Sequence, residues 1–202
     1  ELLLGIVTMI PRNIKKWITI ADEAVAMGGE AFVRYIYDEL TYQIVKKLAA
    51  LGVADITSAN TSHGATAIGI PQIAAAPGVT TFQKAMTNLT DEADVNNLVV
   101  LLNPATDAAV IDAVAAGNFS IDPYAGLKKI YTSALPAYST ADADAVYAIV
   151  GDLSALQFNF PEGDDVIVKW DDMSLAESDL VKFVGREYAA HAVTAPGRLV
   201  NV

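Results

Sequence analysis

Ser154 closes the short stretch Gly151-Asp152-Leu153-Ser154, which follows the apolar run Ala145–Val150. A serine nucleophile needs a sharp strand–turn–helix elbow, with small residues two before and two after it and a histidine and an acid within reach. Asp152 and Leu156 occupy those two places here. Beyond them Leu156, Phe158 and Phe160 alternate with Gln157 and Asn159, the pattern of a strand. The two histidines, His63 and His191, fall in a loop-like stretch and in an apolar strand-like one. The spacing predicts a bend between strands, not a catalytic serine.

Other chemistries fare no better. Neither histidine has a second histidine or a carboxylate at i+2 to i+4, so neither starts a metal site. Calcium loops need alternating acids around a central glycine, and Asp91–Asn97 and Asp142–Ala145 lack that glycine; both read as solvated turn acids. There is no G-x-G-x-x-G and no P-loop. Asn60, Asn88 and Asn118 begin glycosylation sequons, which matter only in a secreted chain. Tyr35 and Tyr42 read as packing residues on a helix. The expectation is a non-enzyme with no catalytic, cofactor-binding or metal-binding residue, and no cofactor.

Composition narrows the partners. Apolar residues make up 53% of the 202 and charged ones 18%, which is a folded chain with a sizeable core. Net charge is −11 and no run of Lys or Arg occurs, so a nucleic-acid face or an attraction to anionic membrane is not expected. No cysteine is present, which excludes disulfides and thiolate metal sites. The start ELLLGIVTMI lacks the basic region and small-residue cleavage site of a signal peptide. Because it opens on Glu, the chain is expected to be a fragment or a processed product. The uncharged run Ile56–Gln83 is interrupted by Gly64, Gly69, Pro71, Pro77 and Gly78, so it reads as loop with short strands and not as a membrane span.

Stepping along the chain, residues 1–27 read as extended, with a turn at Pro11-Arg12-Asn13 and a strand around Ile18 and Ile20. From Glu30 to Leu51, Phe32, Ile36, Leu40, Ile44 and Leu48 recur every fourth residue. This is one apolar stripe on a long helix, preceded by Gly28-Gly29 and closed by Gly52. A second helix is expected over Thr80–Leu89. Leu98–Leu102 reads as a strand buried on both faces, and Asn103-Pro104 ends it. A third helix opens at Thr106 or Asp107 and runs to Ala116 before Gly117. Lys129–Leu135 and Ala145–Val150 read as strands. Leu156–Phe160 and Val166–Trp170 flank Pro161–Asp165 and read as a β-hairpin. Ser174 with Glu177 forms a capping box that predicts a helix start. Gly185–Val202 reads as strand, turning at Pro196-Gly197. Helices and strands are mixed without a βαβ rhythm, which favours an α+β fold.

The order of these elements, more than any one of them, resembles the major capsid proteins of tailed phages and prophages with the Hong Kong 97 fold. KWITIADEAVAM leads into the long helix, LVVLLNPATDAAV centres the middle, VYAIVGDLSALQFNF follows, and DLVKFVGREYAAHAVTAPGRLVNV closes the chain. The matching positions are Thr19–Met27, Glu30–Leu51, Leu98–Val110, Gly151–Phe160 and Arg186–Pro196. The resemblance implies a domain plan. Residues 1–29 would be the returning part of an extended loop and 30–58 a spine helix of a peripheral domain. Residues 59–153 would be an axial domain with a mixed sheet flanked by helices, and 154–202 the return strands of the peripheral domain. It implies a structural subunit that self-assembles through pentamers and hexamers into an icosahedral shell around a DNA genome. That shell would be a virion capsid assembled in the bacterial host cytoplasm, with a scaffolding protein, a prohead protease and a portal as candidate partners. It departs from the family in lacking the N-terminal arm and the outgoing half of the extended loop. Some members also lock the shell by an isopeptide bond from a loop lysine to an asparagine of the peripheral hairpin. Lys15 and Lys16 could be donors, but Pro161–Val200 holds no Asn, so the resemblance implies a noncovalent shell. An encapsulin-type nanocompartment subunit and a secreted binding module are the alternatives.

Overall fold

The computed structural model describes residues 7–58, 69–90, 93–117, 120–140, 145–163 and 165–202. They form a mixed α and β chain with two sheets and one long helix. It divides into a first unit, residues 1–51 with 158–191, and a second, residues 52–157 with 192–202.

The first unit is built on β7 (Leu180–Val193), a strand of 14 residues. On one edge it pairs antiparallel with β1 (Arg12–Ala21), from Arg12 opposite Ala189 to Ala21 opposite Leu180. On the other edge it pairs with β6 (Ile167–Asp171) and with β5 (Leu156–Asn159). Two expectations change here. β1 starts directly after Pro11, where a turn was expected to run through Asn13. β5 and β6 do not form a hairpin with each other; each pairs with β7, and the hairpin is β6–β7, joined by residues 172–179. Alternation located both strands, but a strand as long as β7 has edge enough for two partners.

α1 (Asp22–Ser58) begins earlier and ends later than the stripe predicts. Residues 22–27 are helical, not extended: Asp22 and Glu23 put two carboxylates at the positive end of the helix, and the Asp22 amide donates to the Asp179 carbonyl at 2.9 Å. The helix is interrupted at Gly29, whose φ of 59° and ψ of −160° are not helical; that left-handed φ suits a residue without Cβ. Gly52 does not terminate it. The helix runs on because Val53 and Ile56 are buried in the second unit's core, and such burial outweighs glycine's propensity cost of about 1 kcal/mol. Within the first unit, Ile36 and Leu40 pack on Val181 and Phe183, and Ile44 and Leu48 on Ile14 and Ala189. Each such side chain contributes roughly 1.5–3 kcal/mol of burial.

The second unit centres on a sheet ordered β3-β2-β4-β8. β2 (Val99–Leu102) leads through α3 (Pro104–Ala116) to the parallel β3 (Lys128–Tyr131), one crossover unit in an otherwise antiparallel arrangement. β4 (Ala148–Gly151) and β8 (Leu199–Asn201) complete it. Every residue of β2 and β4 is buried. The reason is two cores on opposite faces. Val99, Leu101 and Ile149 point to Val53, Ile56 and Leu135, while Val100, Leu102 and Val150 point to Phe82, Ala85 and Val110. α2 (Thr81–Met86) is shorter than expected. α3 starts at Pro104, two residues early, because Asn103 caps it: its Oδ1 accepts from the Ala105 amide at 3.0 Å and its Nδ2 donates to the Leu135 carbonyl at 3.1 Å. β3 stops at Tyr131, since Thr132 turns the chain by accepting from the Ala134 amide.

Two further expectations fail. Ser174 does not cap a helix: Asp171 accepts from the Met173 and Ser174 amides, and the chain makes only a 3-10 turn at Ala176–Ser178. After β7 ends at Val193 the chain does not continue as a strand of that sheet; β8 is an edge strand of the other sheet.

Candidate functional site

At Gly151–Ser154 the chain bends between β4 and β5, as the spacing predicts. Asp152 caps a 3-10 turn, Leu153–Ala155, accepting from the Ser154 amide at 2.9 Å and from the Ser154 hydroxyl at 2.7 Å. Arg198 donates to Ser154 Oγ at 3.2 Å and stands 3.9 Å from Asp152. Burial raises the Asp152 pKa, but the bonds from Ser154, the Asp94 amide and the Arg198 charge outweigh it and the net shift is downward. A carboxylate held that acidic is a poor proton acceptor for a hydroxyl. Gly151 has φ of 148°, and a Cβ there would lie 2.1 Å from the Arg198 carbonyl oxygen. What sequence made into a possible nucleophile elbow is a close passage of two backbones fastened by an Asp–Ser–Arg cluster.

The remaining candidates scatter. His63, Asn60, Asn118, Asp91 and Asp142 lie outside the described residues. His191 sits beside the Phe158 ring, centroids 6.1 Å apart. Asp94 caps the turn Val95–Asn97 through the Asn96 amide. Asn88 is exposed at the end of α2, its amide bonded to the Lys84 carbonyl. Among the described residues no cluster of three or more His, Asp or Glu could hold a metal ion, and no helix is long and apolar enough to cross a membrane.

One polar constellation escaped the sequence. Asp107, buried on α3, accepts from Tyr124 Oη at 2.5 Å, Tyr131 Oη at 2.7 Å and Lys129 Nζ at 3.3 Å. Desolvation pushes its pKa up, yet the three donors win and hold it below the usual carboxylate value. Tyr124 is shifted upward by burial and by the carboxylate it serves. All three donors face one acceptor, so the cluster ties β3 and the segment before it to α3. Its members are 17 to 24 residues apart in sequence, at no motif spacing.

The features left over are surfaces. Tyr35 and Tyr42 are 62% and 59% exposed, on the side of α1 away from the sheet, so they are not packing residues within this chain. Val45, Leu48 and Ala49 of α1, with Phe158, Phe160, Val166 and Glu187, line an apolar groove of about 260 Å³. Trp17 and Trp170 are also exposed. Large apolar side chains left in water on several faces mark contact surfaces more than catalytic ones.

No protein-family model and no curated protein matches the sequence. Solved structures do. The capsid of an empty GTA particle superposes with a TM-score of 0.67 at 18% identity, covering 96% of this chain and 72% of that one. The capsid of the cyanophage P-SCSP1u gives 0.65 at 12% identity over 100% of this chain and 76% of that one. A virus-like particle from Pyrococcus furiosus gives 0.60 at 17% identity over 95% and 75%. The likeness is one of fold, and it spans nearly the whole chain.

Proposed function

We propose that this chain is the structural subunit of a phage or prophage capsid, with the Hong Kong 97 fold, assembling through pentamers and hexamers into an icosahedral shell around DNA. The observation that supports it most is the likeness to capsid structures over 96% and 100% of the chain. In this reading β1 is the returning strand of the extended loop and α1, from Glu30 on, is the spine helix. The first unit is the peripheral domain and the second the axial domain. The subunit has no catalytic role, and the Asp107 and Asp152 clusters hold the axial domain in shape. The net charge of −11 keeps the inner wall from adhering to the packed polyanion, so no duplex DNA affinity is expected at physiological salt. Scaffolding protein, prohead protease and portal are the expected partners, with assembly in the host cytoplasm.

Negative-stain microscopy and sedimentation of the expressed protein should show closed particles or ring-shaped capsomers. A monodisperse monomer at every concentration and salt would overturn the reading. The likeness to the Pyrococcus virus-like particle supports a second one, a nanocompartment shell. Particle contents separate the two: nucleic acid in the first case, a protein cargo in the second.

A further inference from the structure

The sheet of the first unit buries one face against α1 and turns the other outward. Directly opposed residues of antiparallel strands stand on the same side, so the register identifies the outward set. Val181 and Phe183 are buried against the helix, which directs Lys182, Val184 and Arg186 away from it. Across the three strands the outward rows are Lys15, Arg186 and Ile167; then Trp17, Val184 and Lys169; then Thr19, Lys182 and Asp171. Four cations and the Asp171 carboxylate stand on these rows, and with Glu162 beside Arg186 the patch carries a net charge of +2 in a chain of net −11. Strands about 4.8 Å apart and alternate residues about 6.8 Å apart confine them to a patch of roughly 10 by 14 Å. Aromatic rings lie between the charges: Lys182 Nζ is 5.5 Å from the Trp17 ring and the Arg186 guanidinium 5.7 Å from that of Tyr188. Glu162 approaches Arg186 only to 3.7 Å, and among the described residues no ion pair forms at Lys15, Lys169 or Lys182.

We propose that this outward face docks an acidic stretch of a second copy of the chain, an inference that rests on the shell reading above. The complement is supplied by the chain itself. The second unit carries ten carboxylates against Lys84, Lys128, Lys129 and Arg198, and the last two of these already face Asp107 and Asp152. A basic patch on one copy and the acidic excess in another copy's second unit make a heterologous contact, the kind that closes into rings. Trp17, 59% exposed amid the cations, supplies the apolar anchor that charge alone lacks. Duplex DNA is the poorer occupant: it would meet four cations locally and the field of the whole −11 chain at longer range.

The test uses assembled full-length protein grown from a mixture of isotopically heavy and light copies and treated with a zero-length carbodiimide. Lys15, Lys169 or Lys182 should appear in heavy–light crosslinks to Asp or Glu of residues 52–157. The double variant Lys15→Glu with Lys169→Glu should raise the concentration needed for assembly about tenfold at low salt. That gap should narrow in 1 M salt, where the Debye length is about 3 Å. Circular dichroism and a Lys→Gln pair control for folding, both positions being exposed. If particles form but the lysines give no heavy–light crosslink and the double variant assembles like the parent, the docking surface is refuted and the shell reading stands. If the parent protein forms no particles at all, the shell reading falls and the docking surface with it. A salt-sensitive affinity for duplex DNA that the double variant loses would assign the face to nucleic acid and overturn the proposal.

Discussion

Replacing Asp107 with Asn exchanges one of two acceptor oxygens for a donor while three donors still point at it. Tyr124 Oη and one carboxylate oxygen are 2.5 Å apart; Tyr131 Oη and Lys129 Nζ share the other. Whichever way the amide turns, its NH2 meets a hydroxyl or an ammonium. A hydrogen bond to a charged group is worth roughly 1.5–3 kcal/mol, and a buried group left unsatisfied costs about 1–3 kcal/mol. Tyr131 is 53% exposed and can turn to water, which discounts its share; Tyr124 is 7% exposed and cannot. The sum is about 3 kcal/mol for Asp107→Asn, and Tyr131→Phe costs clearly less. The sign with pH follows from the direction of the shift. The folded-state pKa of Asp107 is lowered, so its contribution is complete above the unfolded value of about 3.9 and is lost as pH falls through the folded pKa. Below about pH 4 the parent should therefore lose stability faster than Asp107→Asn. Urea unfolding followed by far-ultraviolet circular dichroism measures the whole chain. Fluorescence of Trp17 and Trp170, both in the first unit, serves as the internal comparison. An Asp107→Asn protein with an unshifted midpoint, or one that costs less than Tyr131→Phe, would refute the cluster as a stabilising tie.

Gly151→Ala should cost about 3–4 kcal/mol or prevent folding, since its Cβ would fall on the Arg198 carbonyl and the φ is unsuited to an L side chain; a melting temperature like the parent's would contradict the close passage. Ser154→Ala removes one hydroxyl but leaves its amide capped by Asp152, so a loss of about 1 kcal/mol is expected in the same melts. Assembled shells boiled in detergent should release single subunits on a denaturing gel, because Pro161–Val200 offers no asparagine to the lysines of β1. A ladder of covalent pentamers and hexamers would show another acceptor.

The parts of the fold that were legible are those whose signal is local. The four-residue repeat from Phe32 to Leu48 specified a helix and its buried side, and the unbroken run Leu98–Leu102 a strand covered twice. The misreadings came where distant residues decide. Gly52 is a helix stop only until Val53 and Ile56 find a core to enter. Val166–Trp170 alternates correctly, but nothing in it says that its partner is Val184 and its neighbours, not the strand just before it. The Ser174–Glu177 pattern lost to Asp171, three residues upstream and already accepting from the Ser174 amide that Glu177 would have capped. Asp107 looked like a helix-start residue because its partners are scattered along the next two dozen positions. Surfaces are least legible of all, since Trp17 and Lys169 share a face only through β7.

The second unit is sewn shut by its last residues. Asn201, fully buried, donates from Nδ2 to the Ile56 carbonyl, its amide donates to the Pro71 carbonyl, and its carbonyl accepts from the Ile73 amide. Val202 exchanges backbone bonds with Ala148, and Leu199 and Val200 cover the outer edge of β4. On the ribosome all of these partners emerge first and must wait. At about 5–20 residues per second, roughly fifty residues separate β4 from β8 by several seconds. During that time β4 offers an unpaired, wholly apolar edge to any neighbouring nascent chain. The order of synthesis thus sets a vulnerable interval in which chaperone capture or misassembly competes with closure. Chains arrested before Leu199 should be cut rapidly by protease within residues 52–157, and resistance there would show that the unit closes without its final strand.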